Sequence, residues 1–240
     1  MATLTSAETS WLHWAALTSH PLPALDAQEV PCDIASATLI DLRGQRFLIS
    51  AQHIDVSKGW VLAIGVVSGQ VRYFRPDPWN FAQTRSFRRT TGDIAVSDLC
   101  ICPIPSDINS EFQERTPIHV GDALPRHVFD IRDVAAPNSG QVYAFAGNVK
   151  PEIHGRDNFV TEPNVYPGLR FISEDRHVCR FRLPILHPGH YCFAGCSGAP
   201  IVDMNRNLVA IVSSGDESEG TIQGVSLRPY VDLVQALCDV

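Results

Sequence analysis

Gly195-Cys196-Ser197-Gly198-Ala199-Pro200 is the segment of this 240-residue chain best suited to nucleophilic chemistry. A serine hydroxyl attacks a carbonyl well only under three conditions. A base must take its proton, an acid must orient that base, and backbone N–H groups must face the developing oxyanion. Glycines beside the serine suit the last need, because they allow the tight turn that aims two N–H groups at one point. A Gly-x-Ser-Gly string alone is weak, since many surface turns contain one. Its companions decide. His53 follows the apolar run Phe47-Leu48-Ile49-Ser50-Ala51 and is the candidate base. The other eight histidines read as ordinary surface or core residues.

Other chemistries find less support. His187, His190, Cys192 and Cys196 crowd into ten residues, but four metal ligands there would distort the serine's turn. No metal or cofactor is expected. The seven cysteines are odd in number, and no spacing resembles a paired zinc set. They read as reduced, semi-buried small residues, which favours a reducing compartment. The net charge of −7 does not suit a nucleic-acid binder, and Arg85, Arg88 and Arg89 read as a solvated face. No run of eighteen apolar residues is present, so no membrane span is expected. The first residues lack the basic and apolar regions of a secretory signal, and a cytoplasmic location is the expectation.

The elements that would position these residues are mostly short strands. Residues 6–18 form the exception: Trp11, Trp14 and Ala15 share a helical face that continues to polar Thr18, with Ser6 as a possible N-cap. Pro21 and Pro23 end that segment. Strands are expected at Ala35–Leu42, Arg46–Ala51, Trp60–Val67, Gln70–Phe74 and Leu99–Ile104. Later ones are expected at Gln141–Ala146, Phe159–Val160, Val178–Leu183, Ala199–Val202, Leu208–Val212 and Thr221–Ser226. Ser68-Gly69 between two β-rich runs is a hairpin signal. Residues 75–92 read as a loop, and 106–139 as a largely irregular bridge. Tyr230–Cys238 reads as a closing helix. Short strands with Gly and Pro turns, and helices only at the ends, indicate an all-β sandwich or barrel.

The run GCSGAPIVDMNRNLVAIVSSG, followed by GVSLRPYVDLVQAL, resembles the C-terminal end of trypsin-like serine proteases. The family's Gly-Asp-Ser-Gly-Gly-Pro, apolar strand, turn, Ile-Val-Ser-Trp-Gly-like strand, Gly-Val strand and terminal helix have counterparts here. They are Gly195–Pro200, Ile201–Val202, Asn205–Asn207, Ile211–Gly215, Gly224–Val225 and Tyr230–Cys238. Phe47–His53 resembles the strand ending in Thr-Ala-Ala-His. Asp93-Ile94-Ala95-Val96 and Asp98-Leu99-Cys100-Ile101 both resemble the Asp-Ile-Ala-Leu strand that follows the family's orienting aspartate. Asp93 is the closer literal match, but a strand after it would run into Ser97 and Asp98, whereas Asp98 precedes the continuously apolar Leu99–Ile104. Asp98 is favoured slightly, and both remain candidates.

The resemblance spans roughly residues 32–228. It implies two six-stranded Greek-key barrels with an N-terminal and a C-terminal helix. The expected division is a helical extension over 1–24, barrels over 25–105 and 140–228, a connection over 106–139 and a helix over 229–240. It implies an endopeptidase in which Ser197 attacks, His53 takes its proton and Asp98 or Asp93 orients the imidazole. Gly195 and Ser197 would supply oxyanion N–H groups, and Ser213, Ser214 and Gly215 would pair with an extended polypeptide substrate.

Departures from the pattern carry information. Cys196 replaces an aspartate that, in digestive and clotting members, pairs with a newly cut N-terminus, so that activation is not expected. Cys196 also stands one residue too early to be the nucleophile of a cysteine variant. Ala199 replaces a glycine, and Gln52 an alanine. Tyr191 falls near the expected floor of the specificity pocket with no acid nearby, which points to a small or apolar P1 side chain. Control by a regulatory partner or by loop ordering is expected. A catalytically inactive relative serving as a protein-binding module is the rival reading, and an unrelated β domain is a third.

Overall fold

The computed structural model describes residues 4–54, 58–67, 70–76, 82–87, 94–116, 119–154 and 158–231. Helix α1 (Ser6–Thr18) opens it. Its N-cap is Thr5 rather than Ser6, because Thr5 and Glu8 form a reciprocal capping box that Ser6 and Thr9 could not. The expected stripe is buried: Trp11, Trp14, Ala15 and Thr18. Thr18 tolerates burial because its hydroxyl donates to Ala15 O at 2.7 Å.

The N-terminal half contains β1 (His20–Leu25), β2 (Pro31–Leu42), β3 (Gln45–Ser50), β4 (Gly59–Trp60), β5 (Leu62–Val67), β6 (Gln70–Phe74), β7 (Ala82–Phe87) and β8 (Ile94–Ile104). One sheet runs β4-β1-β2-β3-β8-β7, and β5-β6 forms a hairpin. Three expectations need correction. His20–Leu25 is a strand despite Pro21 and Pro23; it pairs with β2 on one side and, only at its last residues, with β4 on the other. Residues 82–87 form β7 against β8 within the supposed loop. The supposed bridge holds a hairpin of β9 (Glu111–Thr116) and β10 (His119–Pro125), then the short β11 (Phe129–Asp130) beside β2.

The C-terminal half contains β12 (Tyr143–His154), β13 (Asn158–Asp175), β14 (Val178–Arg182), β15 (Pro200–Asp203), β16 (Leu208–Asp216) and β17 (Thr221–Val225). These close into a six-stranded barrel in the order β12-β13-β14-β17-β16-β15. Because β14 and β15 are not neighbours, residues 183–199 must cross one end of the barrel. That crossing carries the Ser197 turn. The expected closing helix begins at 228–231, and its remainder, with Cys238, lies outside the described residues.

The molecule is an all-β double barrel with α1 on its flank. Tyr143, Phe145, Phe181 and Ile201 are among the fully buried side chains filling the C-terminal barrel. Leu22, Leu39, Leu48 and Leu62 do so in the N-terminal half. A third cluster joins the halves: Trp11 and Trp14 of α1 pack with Ile40, Ile49 and Phe129 on one side and Val202, Leu208 and Ile211 on the other. Burial of this apolar surface holds the halves, and hence their shared cleft, in register.

Candidate active site

Strands β3 and β8 are antiparallel, with Ser50 opposite Cys100. Continuing three residues past Ser50 and two residues before Cys100 brings His53 and Asp98 face to face. His53 Nδ1 lies 2.8 Å from Asp98 Oδ2 and 3.1 Å from Oδ1. The backbone N–H of His53 donates to Asp98 Oδ1 at 3.0 Å, so the carboxylate fixes both ring and main chain. On the far side of the ring, His53 Nε2 lies 2.8 Å from Ser197 Oγ. Asp93 lies outside the described residues. A carboxylate at Nδ1 selects the tautomer with its proton there, which leaves Nε2 free to accept from the serine. The Asp98 hydrogen bond raises the His53 pKa above its ordinary value, against partial desolvation, which lowers it.

The turn carrying Ser197 is clamped between the two halves. Gly195 and Gly198 sit at φ +93° and +92°, where side chains are disfavoured. A Cβ at Gly195 would collide with Asn148 O, and one at Gly198 with Ser36 O and Ser50 Oγ. Ser36 Oγ donates to Gly195 O at 2.7 Å, Ser36 N donates to Ser197 O at 2.9 Å, and Thr38 Oγ1 donates to Gly198 O at 3.0 Å. Cys196 N donates to Phe193 O, and Ala199 N to Cys196 O, both at 2.9 Å. Among the described residues nothing engages the Gly195 and Ser197 amides. Cys196 points away, into the barrel core at 1 % exposure, and burial pushes its thiol pKa up. A neutral, enclosed thiol is no nucleophile.

A cleft of about 280 Å³ adjoins the serine, lined by His53, Gly195, Ser197 and Ser213–Gly215 with apolar Phe145, Phe193, Val212 and Ile222. Strand β15 begins at Pro200, opposite Ile211. Upstream of it the chain turns into the Ser197 loop, whose last link to β16 is Gly198 N to Val212 O at 2.9 Å. Ser213, Ser214 and Gly215 are therefore left with one strand edge uncovered among the described residues. Tyr191 does not form the floor: it is 74 % exposed, because residues 190–193 form a short 3₁₀ turn that swings it outward. His190 and Phe193 line the cleft instead. No group of three or more metal-ligating side chains occurs among the described residues.

Sequence reasoning missed Ser36, Thr38, Ser50 and Asn148, which hold the turn. The available signal was a pair of hydroxyls, Ser36 and Thr38, alternating with Ala35, Ala37 and Leu39 along one strand. It missed Phe145 and Ile222 because only barrel closure brings them to the cleft.

No family model matches the sequence, and no curated protein matches it significantly. Solved structures do match in fold. Human heparin binding protein superposes with a TM-score of 0.59 at 11% identity, covering 94% of this chain and 93% of that one. A serine endoprotease from Yersinia pestis gives 0.55 at 14% identity, covering 98% of this chain and 68% of that one. The protease domain of MamO from Magnetospirillum magneticum gives 0.53 at 14% identity, covering 92% and 97%.

Proposed function

We propose that this chain, which has the double-barrel fold of the trypsin-like serine proteases, is a serine endopeptidase acting through an acyl-enzyme. The observation that carries the reading is the unbroken line Asp98–His53–Ser197, with 2.8 Å contacts on both sides of the imidazole. In this reading His53 Nε2 takes the Ser197 proton as Oγ attacks the scissile carbonyl. Asp98 stabilises the imidazolium, and the Gly195 and Ser197 amides receive the oxyanion. His53 then gives the proton to the leaving amine, and water, activated by the same base, hydrolyses the ester. These are the roles of the general serine-protease template; the residue assignment is what is proposed.

The substrate backbone would lie along the uncovered edge at Ser213–Gly215. Its P1 side chain would enter the cleft among Phe145, Phe193, Val212 and Ile222, which favours an apolar P1 residue. An inactive binding module would have little need of a base and a nucleophile held 2.8 Å apart.

Labelling with a fluorophosphonate probe tests the assignment. The intact chain should be labelled at Ser197, with loss of labelling in Ser197→Ala and His53→Ala. Persistent labelling of Ser197→Ala would sink the nucleophile assignment. An unlabelled, folded intact chain would favour the binding module.

A further inference from the structure

Ser36 Oγ lies at the centre of a polar chain that the chemistry of the cleft does not itself use. It donates to Gly195 O at 2.7 Å and accepts from Asn148 N at 3.0 Å. Asn148 Nδ2 lies 3.4 Å from Ser36 Oγ and donates to Ser19 Oγ at 3.2 Å. Ser19 O accepts from the Arg126 guanidinium, which also donates to Ala16 O at 3.2 Å. Ser19, Ser36 and Asn148 are fully buried, and Arg126 is 5 % exposed. A continuous buried path thus runs from the C-terminal end of α1 to the nucleophile turn. Polar groups cost free energy when buried, and networks of them fix a particular arrangement more than they add stability.

The end of this path is specific. It holds the Gly195–Cys196 peptide by its oxygen, while the N–H of the same peptide is held by Phe193 O at 2.9 Å. The amides of Gly195 and Ser197, which nothing engages among the described residues, flank that peptide. Ser36 grips the turn a second time through its own N–H to Ser197 O. At the other end, Trp11 Nε1 donates to Asp203 O at 2.7 Å and His127 N donates to Leu17 O at 2.8 Å, which docks α1 on the C-terminal half and on the connection between the halves. Cys196, buried and neutral, contributes no ionic anchor inside the turn.

We propose that Ser36 is a positioning residue for the oxyanion amides, and that the N-terminal segment 5–19 governs them through Ser19 and Asn148. Docking of α1 keeps the path complete and the Gly195 and Ser197 amides aimed at the cleft. Release of α1 would let the turn relax and disable the site without touching the Asp98–His53–Ser197 line. This rests on the serine-protease reading of Ser197.

The test is the saturation kinetics of fluorophosphonate labelling of the full chain, resolved into maximal rate and apparent affinity. Ser36→Ala should lower the maximal rate about tenfold to a hundredfold, a part of what losing an oxyanion donor costs. Apparent affinity should hold within about twofold, because the cleft walls are untouched. Ser19→Ala should lower the maximal rate by roughly threefold, and Ser19→Ala with Ser36→Ala no further than Ser36→Ala alone, since the two links act in series. An undiminished maximal rate, additive losses, or a loss carried wholly by affinity would overturn the proposal. Should Ser36→Ala not fold by circular dichroism, Ser19→Ala decides alone, and an unchanged maximal rate overturns. An unlabelled intact chain overturns the protease reading and this inference with it. Labelling that survives Ser36→Ala undiminished overturns the positioning alone.

Discussion

His53 receives its orientation from three contacts with one carboxylate, and that carboxylate also sets its basicity. The hydrogen bond from Asp98 is the largest influence and raises the His53 pKa, with partial desolvation opposing it. The sign for activity follows. In the proposed reaction the base works only when neutral, so kcat/KM should fall as pH drops through an apparent pKa above the ordinary value of about 6.5. Asp98→Asn should shift that midpoint downward, because the raising influence is gone. It should also lower kcat by roughly 10⁴-fold, as a triad without its acid presents the wrong tautomer. Asp93→Asn should retain most of the activity. The measurement is a pH–rate profile of each variant on one peptide substrate. A large loss with Asp93→Asn and a small one with Asp98→Asn would reverse the assignment.

At the scale of elements, the turn at 195–198 is a small piece held by hydrogen bonds with β2 of the other half and β16 of its own. Its glycines are needed for space as much as for conformation. Gly198 is at φ +92°, and a methyl there would meet Ser36 O and Ser50 Oγ. Gly198→Ala should therefore abolish activity and lower stability by about 1–3 kcal/mol, the usual cost of overpacking together with a disfavoured φ. Thermal melts with parallel activity assays read this out. Full activity at unchanged stability would show that the turn has more room than its contacts indicate. Helix α1 is held differently. The buried Arg126 guanidinium donates to Ala16 O and to the C-cap carbonyl of Ser19, and its positive charge suits the carbonyl end of the helix dipole.

At the scale of the whole molecule, the connection between the halves is anchored by a fully buried histidine. His20 Nε2 faces His127 O at 3.0 Å, so the proton resides on Nε2, and Nδ1 accepts from Ser110 Oγ at 2.6 Å. Burial, and then the nearby Arg126 charge, push its pKa down to about 3. A depressed folded-state pKa contributes stability above the unfolded value of about 6.5, and that stability is lost as pH falls toward 3. The unaltered chain should lose melting temperature steadily between about pH 6 and pH 4. His20→Gln should flatten that slope even if its melting temperature at pH 7 is lower. An equally steep slope in the variant would place the acid sensitivity elsewhere.

The chemistry-bearing residue types, the strand-rich texture and the amphipathic start of α1 are legible in the order of residues, since they depend on local spacing and side-chain period. Trp11, Trp14 and Ala15 are buried together because helical geometry puts them together wherever the helix docks. His53 and Ser197 stood out because each ends or begins an apolar strand. Which residues meet across the cleft depends on contacts between distant strands. The pairing of Ser50 with Cys100 sets Asp98 opposite His53, a register that depends on two strands separated by a long insert. Strand β7 and the β9–β10 hairpin escaped notice because polar sequences such as Gln83–Ser86 become strands through partners rather than through their own pattern. The clamp on the turn was equally hidden. Ser36, Ser19 and Asn148 are unremarkable residues until barrel closure and helix docking bring distant backbones within hydrogen-bond reach.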